Sequence, residues 1–147
     1  MHWILLANVF STIFMTGLIW IVQVVHYPLF AKVGLDVFPA YSRAHQTLIT
    51  LVVGPPMLLE AATAVLLVVA RPAGVSVTLA WAGLAILVVV WLSTAALQGP
   101  AHAKLVSGFD AATADFLVRS NWIRTIGWTA RAGIALAMVE QAWRADR

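Results

Sequence analysis

The 147-residue chain contains no cysteine, and only 10% of its residues are charged. The absence of cysteine excludes disulfide bonds, thiolate-bound zinc, iron–sulfur clusters and a cysteine nucleophile. The charged fraction lies far below the roughly 25% of a typical soluble domain, whereas 62% of the residues are hydrophobic and the mean hydropathy is +0.91. The Lys and Arg residues are scattered along the chain, which argues against a nucleic-acid-binding patch. This composition is typical of an integral membrane protein.

Four apolar stretches are each long enough to cross a bilayer as a helix, which takes about 20 residues. They cover residues 3–25, 48–70, 76–97 and 121–143. Their continuous apolar runs argue against the strands of a membrane barrel, whose side chains alternate between two faces. The sequence therefore predicts an all-α fold, an integral membrane four-helix bundle formed by one transmembrane domain over residues 1–147. We expect an up-down-up-down bundle with both termini on the same side, in the inner membrane of a bacterium.

Two charged residues, Glu60 and Arg131, fall near the middle of their predicted spans. At the helical rise of 1.5 Å per residue, both lie roughly 15–18 Å from the same membrane face. Matching depth and opposite charge predict a buried ion pair. Such a pair can do no more than fix the register of the helices, or it can serve a function, as charges inside membranes often do.

Three histidines, His26, His45 and His102, lie at span ends that a four-pass topology brings to one face. Imidazole is a common metal ligand and the usual acid–base group near neutral pH. The three can form an open site for a single metal ion, or two of them can bind a haem iron. Two other interpretations stay open: acid–base chemistry without a cofactor, and hydrogen bonds to lipid headgroups, loop carbonyls and water.

The fourth span carries a polar stripe at helical spacing, formed by Asn121, Arg124, Trp128 and Arg131. Cations and polar groups on one side of a helix predict that this side faces the bundle interior. We expect Asn121 and Arg124 to join the histidines as catalytic residues, and Gln23, Gln98 and Trp128 to contact a cofactor. The simpler interpretation is that Trp128 packs in the core and that Arg124 extends its charge to the membrane interface.

Three short motifs fit a known pattern of four-span proteins. Pro28 ends the first span, Pro100-Ala101-His102 follows the third with His where the pattern has Pro-x-Asn, and Asn121-x-x-Arg124-Thr125 opens the fourth. The chain in this way resembles the anthrone-oxygenase-like family of small membrane proteins. The resemblance implies oxidation of polycyclic phenolic substrates with O₂ and without an evident cofactor, and it carries over Asn121 and Arg124.

These features predict a small membrane oxidoreductase or oxygenase whose hydrophobic substrate enters from the lipid. Its expected partners are the lipid bilayer and a hydrophobic small molecule. The alternative is a non-catalytic accessory or assembly subunit of a larger membrane complex, or a homo-oligomer, in which exposed tryptophans and small residues form the contacts. No inverted repeat is evident in the sequence, which argues against a transporter.

Overall fold

The computed structural model describes residues 2–147, which are helical nearly throughout and include no strand. Four helices follow one another: α1 His2–Lys32, α2 Phe38–Val69, α3 Val77–Leu105 and α4 Ala111–Ala145. Short connections join them. The predicted all-α fold is confirmed for these residues, and it agrees with the requirement that backbone polar groups in lipid be satisfied within each segment.

Helices α1, α2 and α3 are long and apolar enough to cross a membrane. Helix α4 is not among them, which corrects the expectation that residues 121–143 form a fourth segment of the same apolar character. The physical reason is the polar stripe on α4. Asn121, Thr125 and Arg131 are each at most 2% exposed, so they lower the hydropathy of the helix while facing other helices.

Both α1 and α3 contain a π-helical turn shortly before a proline. The turn covers Val22–His26 before Pro28 and Thr94–Gln98 before Pro100. Proline has no N–H to donate, so the regular hydrogen-bonding pattern is interrupted around it. A π turn pairs each N–H with the carbonyl five residues earlier, and such turns are frequent at functional sites. In both helices it lets the chain continue past the proline without ending the helix.

This local geometry corrects two expectations from the sequence. Gly99 and Pro100 do not break the third helix, so His102 lies within α3 and not beyond its end. Helix α2 begins at Phe38, well before the predicted span at residue 48, and it stays helical through Pro55 and Pro56. The helices therefore extend further at the histidine end than the apolar runs indicate.

Contacts near the chain termini define the other end of the bundle. The His2 imidazole lies 3.5 Å from the Asp146 carboxylate, and the backbone N–H of Ser76 donates to Gln141 Oε1 at 2.8 Å. The start of α1, the start of α3 and the end of α4 therefore lie together.

The beginning of α4 is fixed by an N-cap. The carboxylate of Asp110 accepts a hydrogen bond from the backbone N–H of Thr113 at 2.7 Å and another from the Thr113 hydroxyl. A side chain in this position satisfies a donor that the first helical turn leaves free. These hydrogen bonds, with a smaller contribution from Lys104, hold the pKa of Asp110 below its ordinary value.

The close approach of α3 to α4 depends on Gly127. A Cβ added to Gly127 would lie 2.5 Å from Cγ2 of the buried Val90, whereas one added to Gly133 in the same helix would meet no neighbouring atom within 4 Å. We expect Gly127→Ala to lower the free energy of unfolding by about 1–3 kcal/mol, because a β-branched neighbour in a packed interior cannot easily move. The effect is measured by thermal denaturation in detergent, with circular dichroism as the readout.

Gly133→Ala is the matched control for this prediction. Alanine favours a helix over glycine by up to about 1 kcal/mol, so we expect this variant to be neutral or slightly stabilised. Equal losses of stability in the two variants would contradict the assignment of close packing to Gly127.

Candidate functional site

A buried ion pair joins α2 to α4. Arg131 Nε lies 2.8 Å from Glu60 Oε1, and the two side chains are 2% and 0% exposed. The structure thus brings together the two charges that the sequence places at matching depth. Removing one partner of such a pair would leave a buried charge without compensation, which is costly.

The same carboxylate also binds α1, and Arg131 extends the network to α3. The Thr12 hydroxyl donates to Glu60 Oε1 at 2.7 Å, and the Trp128 indole N–H donates to Glu60 Oε2 at 2.9 Å. Arg131 Nη1 donates to the carbonyl of Gly83. Glu60 and Arg131 together therefore link all four helices. Trp128, predicted from the sequence to contact a cofactor, serves this network.

The three predicted histidines converge at the end of the bundle away from the chain termini. His26 Nε2 lies 2.9 Å from His45 Nδ1, and His102 Nε2 lies 2.9 Å from the Tyr27 hydroxyl. The centroids of the His45 and His102 rings are 5.6 Å apart. Helices α1, α2 and α3 each contribute one histidine to this cluster.

The arrangement of the rings differs from a metal centre. Within residues 2–147, no group of three or more histidine, aspartate or glutamate side chains is placed to hold a metal ion. His26 and His45 direct ring nitrogens at each other and His102 directs one at Tyr27, whereas metal ligands must direct lone pairs at one point. The ring centroids of His26 and His45 are 4.4 Å apart, which leaves no space for a haem between them. The contact is instead a hydrogen bond through which a proton can pass.

A cavity of about 230 Å³ lies beside these histidines. Its polar wall is formed by Tyr27, His45, Gln46, Thr50, Thr94, Gln98, His102 and Arg124. Three atoms of this wall are buried without a hydrogen-bond partner among the described residues: Gln98 Nε2, His102 Nδ1 and Arg124 Nε. Buried polar atoms are nearly always hydrogen-bonded, so their concentration around one cavity indicates a site for a polar ligand group or water.

An apolar groove of about 720 Å³ adjoins the polar cavity between α1 and α2. Leu18, Val22, His45 and Ile49 line both spaces. The groove is open on the outer surface, where Phe14, Ile21, Leu48 and Val52 are exposed. His45 therefore stands where an apolar surface suited to lipid meets the polar cavity.

Two predicted site residues, Asn121 and Gln23, lie outside the cavity wall. Asn121 Nδ2 donates to Gln23 Oε1 at 2.9 Å, and the Thr125 hydroxyl donates to the same oxygen at 3.3 Å. Gln23 Nε2 in turn donates to the carbonyl of Val118 at 3.1 Å. These hydrogen bonds join α1 to α4, so in this arrangement Asn121 and Gln23 hold helices together beside the cavity.

Two residues of the cavity wall that the sequence analysis did not single out, Tyr27 and Gln46, contact His102. Tyr27 is only 4% exposed and contacts His102 through its hydroxyl. Gln46 Nε2 donates to the backbone carbonyl of His102 at 3.0 Å. The signal in the sequence that could have drawn attention to Tyr27 was its neighbour Pro28, because a proline interrupts the regular hydrogen bonds of a helix.

In comparisons with known proteins, the chain matches no family model, no curated protein and no solved structure. The resemblance to the anthrone-oxygenase-like family therefore stays a prediction that rests on its short motifs.

We predict that Glu60→Ala severely destabilises the protein. The substitution leaves Arg131 buried without its carboxylate and removes the acceptor of Thr12 and Trp128, so a loss of about 3–5 kcal/mol is expected. The measurement is the yield of monodisperse protein and its melting temperature in detergent.

Glu140→Ala is the matched control, because Glu140 forms an exposed ion pair with Arg144 one helical turn away. Pairs of this kind contribute about 0–1 kcal/mol. Normal expression and melting of Glu60→Ala, at the level of Glu140→Ala, would refute a structural role for the buried pair.

Proposed function

We propose that the chain is a membrane-embedded enzyme that takes a hydrophobic molecule from the lipid and acts on its polar end, with an oxidoreductase- or oxygenase-like activity. The observation that carries this proposal is the position of His45, which lines both the apolar groove and the polar cavity. Pockets that are largely apolar with a few convergent polar groups are the usual form of small-molecule sites.

The histidines supply acid–base chemistry. His45 lies in the wall of the cavity and hydrogen-bonds through Nδ1 to the half-buried His26. It can take a proton from a group in the cavity while His26 accepts or returns one on the other side. Positioned proton transfer of this kind typically accelerates a reaction by about 10²–10⁴-fold. If the reaction is an oxygenation, the oxidant is O₂, as the resemblance to the anthrone-oxygenase-like family implies.

We also propose a membrane topology for the chain. The four helices cross in an up-down-up-down bundle, with both termini on one side of a bacterial inner membrane and the histidine cluster near the opposite face. It is supported by the contact of His2 with Asp146 at one end and of His26 with His45 at the other. Helix α4 can cross because its polar stripe is buried against the other helices.

Single cysteines introduced into this cysteine-free chain test the topology. Ala73 and Ser107 are exposed residues in the connections before and after α3. We expect a membrane-impermeant maleimide applied to intact spheroplasts to label only one of Ala73→Cys and Ser107→Cys, because α3 separates them across the bilayer. Asp36→Cys is expected to behave as Ser107→Cys does. Labelling of both Ala73→Cys and Ser107→Cys, with a permeant maleimide as the control for reactivity, would contradict the topology.

Turnover in a membrane-lipid extract tests the activity. We expect protein in nanodiscs, incubated in air with bacterial lipid extract, to consume at least one hydrophobic species detected by mass spectrometry. His45→Gln should slow this consumption by about a hundredfold or more, because it removes the proton acceptor. Ala44→Phe should also slow it, since Ala44 lines the groove and the larger side chain obstructs it.

Ala95→Phe provides the matched control for the groove. Ala95 is also an exposed alanine and lines a different apolar groove, between α2 and α3. It should leave consumption unchanged. The proposal is contradicted if the wild-type protein consumes no species, or if Ala44→Phe and Ala95→Phe change consumption equally. Absence of consumption by the wild-type protein would favour the accessory subunit.

A further inference from the structure

We infer that the polar end of the bound molecule is a carboxylate, so that the ligand is a long-chain carboxylic acid in its ionised form. This inference rests on the proposed function, because it names the class of molecule that enters the groove and the cavity. It follows from the charge, the hydrogen-bond donors and the shape of the combined site.

The charge of the cavity wall comes from Arg124. Arg124 is the charged residue that lines the cavity, and among residues 2–147 it forms no ion pair. Elsewhere at this end, Lys104 pairs with Asp110 and Arg119 with Asp115, whereas Lys32, Asp36 and Arg43 are exposed. The Arg124 guanidinium lies over the ring of Trp128, 5.7 Å from the ring centroid. Arginine keeps its charge under all ordinary conditions, and a charge inside a membrane is costly unless an opposite charge compensates it. An anion in the cavity supplies that compensation.

The unpartnered hydrogen-bond donors of the cavity wall are also suited to a carboxylate. The Ser93 hydroxyl donates to Gln98 Oε1 at 3.1 Å, which leaves the Nε2 donor of this fully buried side chain without a partner. Arg124 Nε is a second free donor. His102 Nδ1 is a third when Tyr27 donates to His102 Nε2. A carboxylate only accepts hydrogen bonds and has two oxygens to receive them, and bonds from a guanidinium to a carboxylate are among the strongest in proteins.

The shape of the site favours an acid with a single charge and a long apolar chain. The apolar part of the cavity wall is formed by Leu18, Val22, Ile49, Val53 and Met57. Four residues of the cavity wall also line the groove. A phosphate headgroup would bring a second negative charge or a bulky ester into a small cavity with one cation. A neutral carbonyl, as in a quinone, would leave the charge of Arg124 without compensation.

Electron paramagnetic resonance with a matched pair of probes tests this inference. The probes are stearic acid with a nitroxide near its carboxyl end, and the methyl ester of the same molecule, each in phosphatidylcholine nanodiscs at alkaline pH. We expect a motionally restricted signal from the acid with wild-type protein and none from the ester. Arg124→Gln and Gln98→Leu should each weaken retention of the acid, Arg124→Gln by roughly tenfold or more, because each removes a partner of the carboxylate.

Arg43→Gln is the control, because Arg43 is an exposed cation near the start of α2, at the histidine end of the bundle. It should leave the restricted signal unchanged, which separates binding in the cavity from attraction to surface charge. Circular dichroism melting confirms that each variant is folded. Equal restriction of acid and ester, or a signal insensitive to both Arg124→Gln and Gln98→Leu, would overturn the inference.

A second probe distinguishes failure of the inference from failure of the proposed function. A short-tailed benzoquinone, which is neutral, quenches tryptophan fluorescence when it binds. Saturable quenching that Gln98→Leu abolishes, without restriction of the acid, would refute the carboxylate and preserve a hydrophobic substrate in the cavity. If neither the acid nor the quinone is retained, both the inference and the proposed function fail.

Discussion

The carboxylate of Glu60 accepts hydrogen bonds from Thr12, Trp128 and Arg131, and Arg131 extends the contact to Gly83. Inside a bilayer this interaction has special weight, because apolar helices gain little from leaving apolar lipid and depend on close packing and hydrogen bonds to associate. One buried ion pair thus sets the register of all four helices. The cavity at the histidine end keeps a single shape because the helices that carry its residues are held in that register.

The two interior arginines of α4 are used differently. Arg131 is paired with the Glu60 carboxylate, which is how buried charges that hold a structure together are usually found. Arg124, two helical turns earlier, has a buried Nε without a partner among the described residues and lines a cavity. An arrangement that leaves such a group unsatisfied lowers stability and is typical of sites where a ligand completes the hydrogen bonding. The difference separates a structural centre from a candidate binding site on the same helix.

Depth was predictable from the sequence and rotation about the helix axis was not. The fixed rise of a helix placed Glu60 beside Arg131 and brought His26, His45 and His102 to one end. It could not show that His26 and His45 face each other, or that Asn121 and Gln23 bond to each other outside the cavity, since packing decides which way each side chain turns. The π turns before Pro28 and Pro100 were also hidden, because apolar periodicity does not record a change in backbone hydrogen bonding. For that reason His102 was expected beyond the end of its helix.

The polar cavity is proposed to receive the end of a molecule whose apolar part lies in the groove. An experimental density map of the protein, purified in native lipid without a detergent wash, tests it most directly. We expect elongated density that begins between α1 and α2, passes His45 and ends within hydrogen-bonding distance of Gln98 Nε2 and Arg124 Nε. Separate water peaks on these atoms, with no continuous density in the groove, would contradict the account.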